Sequence, residues 1–333
     1  MNKVVKTAGK VAIGAGIAYF ALGELAYETF VNPSVRDYLK KAGVFKNPEK
    51  DAFWEKCTLN HEDNDWYDAH PMAHTILYSQ RMGRDTYAKV YFQDEETDKF
   101  AVVVHGYTDT PKTMTRWIRQ YLDMGFNVIV PIMVGHGPDK SHYCSMGYYD
   151  RFIVLDWIDY AISLNKDAKI VIHGVSMGAA TTMMVTGEVL PENVLVAVED
   201  CGYTCCWDEY CSQVEAMLPI PPEIVVTPVN IISKLRGNFD FKEASPIKAI
   251  VHSKTPTLFI HGDKDPLVPY SMMEPLYEAC GAEDKQMLTV PGALHAVATY
   301  QDNELYWNTV KEFVGKYIEI KGSLSIVGVE KTK

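Results

Sequence analysis

Lys169-Ile170-Val171-Ile172-His173-Gly174-Val175-Ser176-Met177-Gly178 decides how this chain folds. The unbroken Ile-Val-Ile run reads as a strand buried on both faces, as strands of a parallel sheet are. Gly174-x-Ser176-x-Gly178 follows without a spacer. Small residues then open a helix expected over Met177–Leu190. A turn this tight between strand and helix needs glycine on both sides of the serine, because a side chain there would strike the sheet. The serine hydroxyl is lifted above the sheet edge. The helix N-terminus beside it offers unpaired N–H groups and the positive end of a dipole.

Outward from this turn, short β-branched runs alternate with helical stretches. Strands are expected at Ala88–Gln93, Phe100–Val104, Phe126–Pro131, Val194–Val198, Thr257–Ile260 and Met287–Val290. Helices are expected at Pro111–Met124, Tyr149–Leu164 and Asp302–Ile318, the first with proline in its opening turn and Gly125 closing it. Such alternation predicts an α/β fold with a mainly parallel central sheet and helices on both faces. The rhythm breaks at about 201–254, where Pro219, Pro221, Pro222 and Pro228 predict an insertion of short helices over the sheet, a small lid. The chain thus divides into an apolar segment (1–31), a lead-in (32–87), an α/β domain (88–320) that carries the lid, and a tail (321–333).

Composition narrows the function. Hydrophobic residues make up 47% and charged residues 23% of the 333, an ordinary globular balance that excludes a disordered or polytopic membrane chain. A net charge of −11 argues against nucleic acid as a partner, since phosphate binding needs clustered cations. There are seven cysteines, an odd number. Cys201, Cys205, Cys206 and Cys211 lack a C-x-x-C spacing and contain no histidine, so free thiols are expected and no metal site.

A serine hydroxyl is a weak nucleophile. It needs a base, and the base needs an orienting carboxylate. Past the strand Thr257–Ile260 lies His261-Gly262-Asp263-Lys264-Asp265-Pro266-Leu267-Val268-Pro269, and past Met287–Val290 lies Pro291-Gly292-Ala293-Leu294-His295. Ser176, Asp265 and His295 therefore stand in the order Ser-Asp-His, each at the carboxyl end of an expected strand, where α/β sheets place their sites. Asp265 is preferred over Asp263 because the Pro-Leu-Val-Pro segment pins it; Asp263 is expected to stabilise the turn. The oxyanion donors are expected to be the backbone N–H groups of Met177 and Tyr107, the latter following Gly106 in the loop after Phe100–Val104. His136, in Gly135-His136-Gly137, precedes the serine and is expected to support the floor of the site.

Together these residues resemble an α/β-hydrolase from about Ala88 to Ile318. The segment from Met146-Gly147-Tyr148-Tyr149-Asp150 to Asp156-Trp157 is similar to bacterial hydrolases near the serine aminopeptidase and monoglyceride lipase branches. A lipase-type His-Gly-Gly-Gly loop is absent, since Tyr107 follows Gly106. The resemblance implies a serine hydrolase that works without cofactor or metal on a small ester or short peptide. A carboxylesterase is the first expectation and an aminopeptidase-type serine peptidase the second. A non-catalytic binding protein on the same fold is the third.

The N-terminus raises a separate question. Lys3, Lys6 and Lys10 precede an apolar run of 13 residues, Val11–Gly23. At about 1.5 Å per residue this run covers roughly 20 Å, short of a hydrocarbon core of about 30 Å. Extension to Val31 brings in Glu24 and Glu28. Three readings compete: a single membrane anchor, a cleaved signal peptide, and a helix lying on the domain. The expectation is membrane association, including a transmembrane helix within residues 11–31, with a cytoplasmic protein as the alternative.

Overall fold

Eight strands form one sheet: β1 (Ala73–Ser79), β2 (Arg84–Tyr91), β3 (Lys99–Val104), β4 (Asn127–Ile132), β5 (Lys169–Val175), β6 (Val194–Asp200), β7 (Thr257–Gly262) and β8 (Lys285–Val290). Their spatial order is β1-β2-β4-β3-β5-β6-β7-β8. Pairing is antiparallel for β1 with β2 and β2 with β4, and parallel from β4 to β8. The computed structural model describes residues 19–35, 61–71 and 73–320, together with positions 16 and 38.

The central strands show why the sheet sits between two layers. In β3, Val102 and Val104 face one hydrophobic cluster while Ala101 and Val103 face the other, and all four are fully buried. Each fully buried valine contributes about 1.5–3 kcal/mol, offset by the entropy of ordering the chain. Helices Asp150–Leu164 and Met177–Thr186 cover the first face; Thr115–Asp123 and Asn303–Gly315 cover the second. The α/β architecture expected from the strand–helix rhythm is the one observed.

Two strands occupy the stretch expected as a lead-in. β1 lies wholly within the stretch read as a lead-in, and β2 starts there at Arg84. β1 is an edge strand with Ile76 and Tyr78 exposed, so it carries no buried apolar run to betray it. Between β6 and β7 stand three helices, Cys206–Met217, Glu223–Gly237 and Pro246–Ile250. Pro228 does not break the second of these: the helix runs through it for 15 residues.

The N-terminal segment departs most from expectation. Among the described residues no helix is long and apolar enough to cross a membrane. The helix over residues 19–30 instead docks on the domain, which overturns the expected membrane association through residues 11–31. Tyr27 and Val31 are buried in the first cluster. Gly23 lies so close to Pro228 that an added Cβ would come within 2.5 Å of it. Glu24 and Glu28 both pair with Arg236 of the lid, which explains two carboxylates one turn apart in an apolar stretch. Residues 1–15, 17 and 18 of the apolar segment, residues 36, 37, 39–60 and 72 of the lead-in and the tail (321–333) lie outside the described residues.

Candidate active site

Ser176 sits at the turn between β5 and the helix Met177–Thr186, with φ 57° and ψ −119°. A non-glycine residue in this region costs about 1–3 kcal/mol and persists only when its surroundings enforce it. Here Ser176 N–H donates to the Asp200 carbonyl at 2.8 Å, and the Ser176 carbonyl accepts from Ala180 N–H at 3.0 Å. The glycines make room. A Cβ on Gly178 would lie 2.0 Å from the Val104 carbonyl oxygen, and one on Gly174 would lie 2.1 Å from the Gly178 carbonyl oxygen. Both obstacles are backbone, so neither can turn aside. Gly178→Ala is therefore expected to destabilise the fold by about 3 kcal/mol or more, read as a lower denaturation midpoint. An unchanged midpoint would contradict this packing.

Beneath the turn lies a buried polar cluster. The Tyr306 hydroxyl donates to Asp200 Oδ2 at 2.8 Å, lies 2.9 Å from His173 Nε2, and accepts from Trp117 Nε1 at 3.1 Å. Burial pushes the Asp200 carboxyl up to about 6 and that of neighbouring Glu199 up to about 8.

The structure brings Ser176, His295 and Asp265 into one hydrogen-bonded chain. His295 Nε2 is 2.8 Å from Ser176 Oγ, and His295 Nδ1 is 2.7 Å from Asp265 Oδ2. The other Asp265 oxygen accepts from the N–H groups of Leu267 at 2.8 Å and Val268 at 3.0 Å, so the loop after β7 holds the carboxylate by its own backbone. Burial alone would raise the Asp265 carboxyl, but the His295 and His261 rings beside it hold it well below the usual carboxylate range. Burial would likewise lower the His295 imidazole; Asp265 opposes this and prevails, with a further contribution from Glu209 on the lid, so the ring is held above its usual value. Asp263 serves elsewhere, accepting from Gly292 N–H at 2.6 Å.

Met177 is the first residue of the helix after Ser176, and Tyr107 lies in the loop after β3. A Cβ on Gly106 would come 3.4 Å from Ser176 Cβ, so this loop passes directly beside the serine. The Tyr107 phenol turns away and donates to the Phe30 carbonyl of the N-terminal segment. His136 Nε2 contacts the Tyr107 carbonyl, so His136 supports this loop.

Two histidines had no role assigned from the sequence. His261, fully buried at the end of β7, places Nε2 3.3 Å from Asp265 Oδ2 and 3.0 Å from the Val268 carbonyl. His105, fully buried after β3, contacts the Gly106 carbonyl. The i,i+4 spacing of His261 and Asp265 was the one available signal.

The six described cysteines are free, and Cys57 lies outside the described residues. Among the described residues one group has metal-ligand spacing: Cys201, Asp265 and His295, within 4.8 Å of one another. Two of the three already hydrogen-bond each other, so the group belongs to the chain built on Ser176. In the lid, Tyr203 is buried and donates to the Met146 carbonyl at 3.1 Å, whereas Met217, Leu218 and Ile220 are exposed.

This fold, with its serine turn and strand-end residues, defines a serine hydrolase of the α/β-hydrolase superfamily. Residues 113–321 match the prolyl oligopeptidase family, and the chain belongs to that family. It is 27% identical over 224 residues to the Bacillus subtilis protein YqkD, spanning 66% of this chain and 72% of that one. It is 22% identical to a thermostable monoacylglycerol lipase of a Bacillus species, over 65% of this chain and 90% of that one. Among solved structures, the Pyrococcus furiosus esterase Pf2001 aligns with a TM-score of 0.58 at 19% identity, over 75% of this chain and 93% of that one. The acylaminoacyl peptidase of Pyrococcus horikoshii aligns with a TM-score of 0.53 at 15% identity, over 76% of this chain and 43% of that one.

Proposed function

We propose that this hydrolase is a carboxylesterase that cleaves an acyl ester through an acyl-enzyme. The single observation that carries the reading is the chain from Ser176 Oγ through both nitrogens of His295 to Asp265. His295 Nε2 takes the proton of Ser176 as Oγ attacks the ester carbonyl. Asp265 keeps the ring proton on Nδ1 and stabilises the imidazolium. The backbone N–H groups of Met177 and Tyr107 receive the oxyanion. His295 then protonates the departing alkoxide, and water, activated by the same nitrogen, releases the acid. The monoacylglycerol lipase and the esterase match this chain over nine-tenths of their own lengths or more, which favours ester over peptide substrates.

A serine peptidase acting on short peptides is the second reading. It is favoured by the family and by Glu209, a buried lid carboxylate whose charge acts on His295. A panel of p-nitrophenyl esters of graded chain length beside aminoacyl amides decides between them. The esterase reading expects turnover of esters with little on the amides; preference for the amides reverses it.

The base must be neutral to work, and Asp265 raises its pKa. The acid limb of kcat/KM is therefore expected at a midpoint above about 6.5, the ordinary histidine value. A pH–rate profile checks this. A limb well below that value would remove His295 as the base.

A further inference from the structure

We infer that His105 and His136 are positioning residues that aim the oxyanion-binding peptide. The inference rests on the reading of Tyr107 N–H as an oxyanion donor. Met133 N–H donates to His105 Nε2 at 3.2 Å. A ring nitrogen that accepts a hydrogen bond carries no proton, so the neutral imidazole holds its proton on Nδ1. Nδ1 lies 2.8 Å from the Gly106 carbonyl oxygen and donates to it. That carbonyl belongs to the same peptide unit as Tyr107 N–H.

In a planar trans peptide the C=O and N–H point in opposite directions, and no peptide bond among the described residues is cis. Holding the Gly106 oxygen from behind therefore aims Tyr107 N–H the other way. The peptide passes beside Ser176: a Cβ added to Gly106 would lie 3.4 Å from the Cβ of Ser176. The following carbonyl, that of Tyr107, contacts His136 Nε2, while His136 Nδ1 lies 3.0 Å from the Val134 carbonyl, so the ring sits between the two loops and, when neutral, donates to one of the two carbonyls. The two rings meet edge to face, with centroids 4.9 Å apart, so the pair forms one rigid support under two consecutive peptides.

The competing conformation is a flipped Gly106–Tyr107 peptide, which would point a carbonyl oxygen where the oxyanion forms. A flip would break the bond from His105 Nδ1–H to the Gly106 oxygen, made at a fully buried ring, together with the longer one from Asp109 N–H at 3.3 Å. The histidines thus keep the productive orientation populated before substrate arrives, although neither touches substrate.

The test compares His105→Leu, His105→Asn and His136→Leu with wild type. One oxyanion donor is worth about 10²–10³ in kcat, so loosening it is expected to lower kcat by about 30-fold in His105→Leu with KM nearly unchanged. Asparagine puts an amide N–H close to the position of Nδ1 and is expected to retain kcat within about 5-fold of wild type. His136→Leu is expected to lower kcat by about 10-fold. The second readout is a boronic acid, whose adduct on Ser176 places an oxygen in the oxyanion position. Its affinity is expected to fall in step with kcat/KM, which a merely structural defect would not produce.

A folded His105→Leu variant with unchanged kcat and unchanged boronate affinity overturns the inference, as does a kcat loss with boronate affinity intact. If His105→Leu does not fold, His105→Asn and His136→Leu decide through the same readouts. A folded asparagine variant as impaired as expected for leucine, or a fully active His136→Leu, overturns it. Ser176→Ala run alongside separates the two levels. Activity in that variant removes the underlying reading, whereas an inert Ser176→Ala beside unaffected histidine variants removes only the positioning role.

Discussion

Ser176→Ala is expected to lower kcat/KM for p-nitrophenyl esters by about 10⁴–10⁶-fold while the protein stays folded. In the proposed mechanism the hydroxyl removed carries the attacking oxygen, so binding cannot compensate. The fold is expected to survive because the contacts that hold the turn are backbone contacts. Ser176 N–H still donates to the Asp200 carbonyl, and the Ser176 carbonyl still accepts from Ala180 N–H. Alanine meets the same strain as serine at φ 57°. His295 loses one partner, Ser176 Oγ, and keeps Asp265. Circular dichroism and the thermal midpoint should therefore match wild type. Labelling by a fluorophosphonate should disappear with the hydroxyl. Substantial esterase activity in the folded variant would remove Ser176 as the nucleophile.

Asp265→Asn is expected to cost about 10³–10⁴ in kcat, through the tautomer of His295. The amide oxygen can still accept from the N–H groups of Leu267 and Val268, as the carboxylate oxygen does. That places the NH₂ group against His295 Nδ1. A donor facing Nδ1 turns this nitrogen into an acceptor and moves the ring proton to Nε2. Nε2 then points a proton at Ser176 Oγ and can no longer take one. The variant should bind substrate with nearly unchanged KM, and its acid limb should shift downward because the charge that raises His295 is gone. Acid stability gives a second measurement. Because the folded carboxyl of Asp265 is depressed, its stabilisation is complete above about pH 3.9, the unfolded value, and is lost as pH falls below it. The asparagine variant should lack this component of acid denaturation. Wild-type kcat in Asp265→Asn would remove the carboxylate from the mechanism.

Much of the fold was legible because buried parallel strands have a plain pattern. Val102–Val104 and Ile170–Ile172 are buried on both faces, so no polar residue interrupts them. β1 escaped notice for the opposite reason: it pairs only with β2, and its face exposes Ile76 and Tyr78. Pro228 misled because a proline inside a helix ordinarily ends it, whereas here the helix continues and Gly23 packs against the ring. The residues that the structure brings together at the candidate site, Ser176, Asp265 and His295, were legible in the serine turn and in the loops after β7 and β8. His105 was not, because a histidine that contacts a carbonyl looks in sequence like any other, and His261, which shares Asp265 Oδ2 with His295, had only its i,i+4 spacing to Asp265 to mark it.

The sequence by itself determined the order of strands and helices, the serine turn and the Ser-Asp-His order along the chain. These follow from local sterics and burial: Gly174 and Gly178 are required because a Cβ there meets backbone, and apolar runs declare strands covered on both sides. Tertiary structure alone decided where the N-terminal helix packs and what holds the Gly106–Tyr107 loop. An apolar segment with two glutamates is equally consistent with a membrane and with a protein surface. Arg236, more than 200 residues away, pairs with both and ties the described part of the segment to the domain. The tautomer of His105 likewise depends on which ring nitrogen a distant Met133 N–H reaches, and no local pattern records that contact.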